Sequence, residues 1–156
     1  MGRHVLVAIG RTDASESALE YAFEEYPEAR ISVVHVTVSS GPFRLFGGRD
    51  PCDYVIPEAI GESADLLPAP DRFTQAQRQR AERVLARAYE FAQRYDREVD
   101  LVVRSGGAAR EIVDYADEHG VDRIVVADHP STAFRPLFRS VPESVAHNTT
   151  TPVTTL

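Results

Sequence analysis

"VVRSGGAAREIVDYADEHGVDRIVVADH", residues 102–129, is the stretch that decides the fold. Two short apolar, β-branched runs, "DLVVR" (100–104) and "DRIVVAD" (122–128), frame it and read as buried strands. Between them "REIVDYADEHG" (110–120) reads as a helix closed by Gly120, a residue that takes the left-handed turn after a helix at no steric cost. Strand, helix and strand in this order make a parallel pair joined by a right-handed crossover.

The same grammar extends outward. "HVLVAIG" (4–10) is an apolar run without helical period, which fits a central parallel strand buried on both faces. "TDASESALEYAFEEYPEA" (12–29) follows, with Ala18, Leu19, Ala22 and Phe23 at helical spacing. Thr12, Asp13 and Ser15 are its candidate N-caps and Pro27 its stop. "RISVVHVTVSS" (30–40) is a second strand. A segment at about 38–70, rich in Gly and Pro and without a sustained period, reads as an extended loop; loops of that length are usually functional or mobile. "RFTQAQRQRAERVLARAYEFAQRYDRE" (72–98) is a strong helix with Ala81, Val84, Leu85, Ala88 and Phe91 on one face. Its arginines, Arg78, Arg80, Arg83 and Arg87, alternate with Glu82 and Glu90 and read as a solvated face rather than a basic ligand surface. A helix starting near Ser140 and a short last strand, "TPVTTL" (151–156), complete the chain.

Alternation of this kind gives an α/β three-layer sandwich, a parallel sheet with helices on both faces, as one domain over residues 1–156 without an internal repeat. Ligands on such sheets sit beyond the carboxyl ends of the strands, where strand order reverses, so residues 8–13, 36–48, 104–108 and 127–141 are the ones to inspect.

Composition narrows the function classes. The chain has 156 residues and a net charge of −7, a poor match to nucleic acid or an anionic membrane. All 17 basic residues are arginine. A lysine-free, acid-rich surface suits solubility in strong salt, and a GC-rich coding bias explains it equally well. The single cysteine, Cys52, excludes an intrachain disulfide and a multi-cysteine metal site. No apolar run approaches the roughly 18–20 residues of a membrane span. "MGRHVLVAIG" (1–10) reads as a strand rather than a signal peptide, so the expected location is cytoplasmic.

In order and spacing these segments resemble the universal stress protein family. "HVLVAIGRTDASESALEYA" (4–22) is similar to that family's opening strand and helix, with its S-x-x-A-L-x-x-A step at Ser15, Ala18, Leu19 and Ala22. "VVHV" (33–36) is similar to its second strand, and residues 102–129 to its most recognisable stretch. The resemblance implies a five-stranded parallel-type sheet of order 3-2-1-4-5, a universal-stress-protein/adenine-nucleotide alpha-hydrolase-like fold, and a homodimer paired through the last strand, residues 152–156.

Many members of that family bind ATP through G-x2-G-x9-G-[ST] after the fourth strand, where glycines let backbone N–H groups approach phosphate. Here the glycine positions fall on Ala127, Pro130 and Arg139, with eight residues between the last two, and Ser140 is kept. The family's aspartate near the end of the first strand is replaced by Gly10. Pro130 removes a donor and restrains His129, Arg139 brings a side chain where close approach is wanted, and Asp128 adds negative charge. "SVPE" (140–143) is a capping box that satisfies the helix start internally, so Ser140 needs no phosphate. Against this, Arg135 and Arg139 can grip an anion without glycine, and the 106–107 turn lies on the same edge. The candidate, degenerate nucleotide site is therefore Ala8, Gly10, Val36, Gly106, Val126, Ala127, His129, Arg135, Arg139, Ser140 and Val141.

None of the five histidines, His4, His35, His119, His129 and His147, forms a metal-spaced pair, so no metal site is expected. No catalytic residues are expected either: His129 and Ser131 do not make a triad. The expected function is a non-catalytic, universal-stress-protein-like stress-response protein, dimeric, without family-type ATP binding or another cofactor, acting through an unidentified protein partner. The alternative is a module binding ATP, an AMP-like nucleotide or another small anion at the loop after the fourth strand. A slow nucleotide hydrolase ranks last.

Overall fold

The structure, a computed structural model, describes residues 2–10, 14–37, 54–56, 75–127 and 141–156. Among these residues ten elements follow one another: β1 (His4–Ala8), α1 (Ala14–Glu25), β2 (Arg30–Thr37), β3 (Tyr54–Ile56), α2 (Gln75–Arg94), β4 (Asp100–Ser105), α3 (Ala108–Glu118), β5 (Arg123–Val126), α4 (Val141–Asn148) and β6 (Val153–Thr155). The sheet order is β3-β4-β2-β1-β5-β6. Its five parallel strands, β4-β2-β1-β5-β6, reproduce the expected order 3-2-1-4-5. The sixth strand corrects the sequence reading: β3 lies inside the segment taken as an extended loop and pairs antiparallel with β4, Tyr54 opposite Val103 and Ile56 opposite Leu101. Three residues are too few to show a period, so only the partner strand reveals them.

β1 occupies the centre because it is apolar on both faces. Val5, Val7 and Ile9 join Leu19, Phe23, Leu85 and Phe91 in the layer covered by α1 and α2. Leu6 and Ala8 face the other way, with Ile112, Tyr115 and Val145 of α3 and α4. Val7 lies opposite Val33 on one side and Val125 on the other, so the register puts three valines side by side in the core. A parallel strand flanked on both sides has no solvent face, and its unbroken hydrophobic run follows from that.

The helix ends show how local chemistry and distant groups divide the work. Gly120 closes α3 with φ +60, and Val121 N–H donates to Ala116 O at 2.9 Å, as its sequence position predicts. α2 closes without glycine: Asp96 takes φ 52 while Arg97 N–H donates to Ala92 O and Asp96 N–H to Gln93 O. The Arg97 guanidinium then donates to the carbonyls of Phe23, Tyr26 and Ala29, at 3.4, 3.2 and 3.3 Å. The residue just past α2 thereby ties down the last turn of α1 and the turn that follows it. α1 begins at Ala14, so Ser15, a candidate N-cap in the sequence, instead lies within the first turn. Thr12 and Asp13 lie outside the described residues.

A buried polar chain crosses the sheet at its lower end. Tyr115 Oη donates to Ser32 Oγ at 3.3 Å, Ser32 Oγ lies 2.8 Å from His4 Nε2, and His4 Nδ1 lies 3.4 Å from His119 O. Nδ1 faces a carbonyl and therefore carries the proton, leaving Nε2 to accept from Ser32. Burial, with help from the Arg30 charge, lowers the pKa of His4 below 6.5 against the opposing pull of the His119 carbonyl. The folded protein thus binds this proton more weakly than the unfolded chain. The stability tied to His4 is complete above pH 6.5 and is lost as pH falls from 6.5 toward the lower folded pKa. Urea titrations at stepped pH should show the loss, and His4→Gln should flatten it; an unchanged slope in that variant contradicts the assignment.

Candidate functional site

The carboxyl ends of β1, β2 and β5 meet where strand order reverses, and a cavity of about 240 Å3 opens there. Ala8, Val34, Val36, Ile112 and Val126 give it apolar walls, and Ala127 and Val141 stand at the side toward α4. Among the described residues, three polar side chains line it: His35, Thr37 and, from α2, Arg80. His35 is buried with Nδ1 3.1 Å from Ile9 O, and Thr37 Oγ1 donates to Arg104 O at 3.3 Å. These two side chains are pinned by the ends of neighbouring strands. Arg80 is the one charged residue among the described lining residues, so the cavity favours an anion.

Backbone donors around the cavity are largely committed. Gly10 N–H donates to Ser15 Oγ at 3.0 Å, and Ser15 Oγ in turn donates to Gly10 O at 3.0 Å. The serine that the sequence offered as a cap instead ties the strand end to the first turn of α1. Ala127 N–H donates to Ala8 O at 3.3 Å, continuing the sheet one step past β5. α3 begins at the rim with Ala108; its N-cap, Gly107, supplies no side-chain hydrogen bond, so the helix start favours negative charge.

Six of the sequence-predicted residues line this one cavity: Ala8, Gly10, Val36, Val126, Ala127 and Val141. Gly106 does not. It forms the turn between β4 and α3, with φ +147 and its N–H donating to Thr37 O at 3.0 Å. A Cβ there would lie 2.8 Å from Glu111 Oε1. Gly106→Ala should therefore cost about 1–3 kcal/mol in backbone strain, read by thermal or urea unfolding. A cost near zero would mean the turn relaxes freely. His129, Arg135, Arg139 and Ser140 lie outside the described residues. Sequence reasoning did not single out His35, Thr37 or Arg80 as lining groups, although Thr37 lies in the 36–48 stretch marked for inspection. The first two stand in a run that looks like core, and the third on a helix face that looks solvated.

Two further features bear on chemistry. Among the described residues no group of three His, Cys, Asp or Glu side chains is placed to hold a metal, and no helix is long and apolar enough to cross a membrane. Arg104, buried at 1% exposure, points from β4 toward α3 and pairs with Glu118 at 2.6 Å. Its Nη1 donates to Glu111 O at 3.2 Å and its guanidinium lies 5.3 Å from the Tyr115 ring centre. That cation is structural: it locks α3 to the sheet beneath the cavity.

The geometry has close parallels among solved structures. A universal stress family protein from Burkholderia pseudomallei superposes with TM-score 0.64 at 21% identity, covering 98% of this chain and 94% of that one. The universal stress protein from Archaeoglobus fulgidus in complex with dAMP gives 0.60 at 20%, covering 99% and 97%. A universal stress protein in complex with cAMP gives 0.67 at 18%, covering 99% and 96%. At these identities the likeness establishes the fold, including β1 and α1. No curated protein matches the chain. The family assignment rests on sequence: the profile of the universal stress protein family matches residues 53–156, from β3 through the cavity wall to β6, and the chain belongs to that family.

Proposed function

We propose that the protein is a non-catalytic, dimeric ligand-binding module of the stress response that works through protein contacts. Its cavity takes a nucleoside monophosphate or a similarly small anion, without the family's glycine grip on a triphosphate. The observation that carries this reading is the cavity at the strand ends, about 240 Å3, apolar-walled, with Arg80 as its one charged described residue. That volume lies just below the roughly 300–1,000 Å3 range of ligand pockets, which suits a small ligand. Two structural neighbours were solved with dAMP and cAMP, both carrying a single phosphate. The Ala127 N–H, at the first of the lost glycine positions, is spent on Ala8 O and is not free for phosphate. For the dimer, β6 is the outer strand of the sheet among the described residues, paired with β5 on one side, and its other edge suits strand-to-strand pairing with a second copy.

Calorimetry tests the ligand. AMP should bind saturably, with Mg-ATP no more than about tenfold tighter. Val141→Asp, which adds a carboxylate at an exposed position of the cavity wall, should weaken AMP by about tenfold or more. Mg-ATP tighter than AMP by about a hundredfold would restore the triphosphate grip and reject the reading, as would no saturable binding of either. Light scattering after size exclusion should give a dimer; a monomer at about 50 µM removes that part of the proposal.

A further inference from the structure

A second cavity, about 290 Å3, lies on the other side of the β1 end, between α1 and α2. Its floor is apolar: Ile9, Leu19, Val84 and Ala88, all buried. Among the described lining residues, its rim carries Arg80, Arg83 and Arg87 against a single acid, Glu16. On a chain of net charge −7 this is a local reversal of sign. The three arginines recur at steps of three and four along α2, so they form one stripe. Glu16 Oε1 accepts from Arg87 Nε at 2.8 Å, which offsets one of them. Arg80 and Arg83 make no ion pair among the described residues and stand over the apolar floor.

We propose that this cavity is a second binding site, for a small amphipathic anion with one carboxylate head and an apolar body. The body lies on Leu19, Val84 and Ala88, and the head is held by Arg80 and Arg83. The wall already displays the required contact: the Glu16 carboxylate on Arg87 is repeated one turn earlier on α2 by the ligand carboxylate. Planar guanidinium groups match a planar carboxylate, and their stems extend the apolar surface. A doubly charged phosphate head would meet Glu16 as well. The proposal does not rest on the nucleotide reading, although the two cavities share Ile9 and Gly10 at the end of β1 and Arg80 of α2. Arg83 lines only this cavity and Val141 only the other, so these two residues separate them.

Calorimetry and methyl NMR on the intact protein test the proposal, with decanoate as the probe below its micelle concentration. Decanoate should bind saturably and shift the Leu19 and Val84 methyl resonances. Arg83→Glu should weaken it by about tenfold or more, and Arg83→Gln by a smaller factor. Decanol and decyl phosphate should each bind at least about tenfold more weakly than decanoate. Val141→Asp should leave decanoate within about twofold while it weakens AMP. Arg83 is exposed, so both of its variants should keep the wild-type circular dichroism and unfolding midpoint. No saturable decanoate binding, equal binding in Arg83→Glu, equal binding of decanol, or loss in Val141→Asp instead would each overturn the site. Decyl phosphate binding more tightly than decanoate would overturn the carboxylate assignment.

Discussion

Arg104→Ala is expected to lower the unfolding free energy by about 3–5 kcal/mol. The side chain is among the largest fully buried ones, and truncation leaves a void between β4 and α3. It also removes the bond to Glu118 at 2.6 Å, the bond to Glu111 O at 3.2 Å and the stacking over Tyr115. Glu118 is half-exposed and resolvates once its partner is gone, so the void and the lost bonds set most of the cost. Arg104→Met separates these contributions. It keeps most of the volume without the charge and should recover at least about half of the loss. Urea denaturation reads both variants, and an alanine cost under about 1 kcal/mol would mean that α3 is held by its apolar face alone.

Leu85→Ala should cost about 2–5 kcal/mol. Leu85 is fully buried in the layer formed by α1, α2 and the sheet, in one cluster with Leu19, Ile31 and Leu101. Its packing depends on both helices, so the surrounding side chains cannot collapse into the space without moving one of them. Arg83→Ala, on the same helix but exposed, should stay within about 0.5 kcal/mol of wild type. The contrast between neighbours two residues apart tests the orientation of α2 directly. If the two variants cost the same, the buried face of α2 is assigned wrongly.

The sequence by itself determined the elements and their order, β3 excepted. Periodicity is local: β1 and β5 are apolar at consecutive positions, α2 is apolar every three or four, and Gly120 marks the end of α3. Right-handed crossovers then leave few ways to arrange five parallel strands, and the switch point follows from their order. Six of the candidate residues reached the same cavity because they sit at strand ends or at a helix start, which this logic locates.

Only the tertiary structure decided where the polar groups go. An arginine in a strand gives no sign of its partners; Arg104 finds Glu118 14 residues away, across a helix. Arg97 binds carbonyls in the last turn of α1 and the turn after it, 68–74 residues upstream. Ser15 has the local look of a cap, yet its hydroxyl is held by Gly10. Gly106 lies near the right edge in sequence, but its φ of +147 and its bond to Thr37 give it to the turn. Arg80 and Arg83 read as solvent-facing until the end of β1 and the floor of α1 are placed opposite them. The physical reason is the same throughout. Hydrophobic burial has a period that a short window of sequence displays, whereas a hydrogen bond or an ion pair needs one particular distant atom, which only the packed chain supplies.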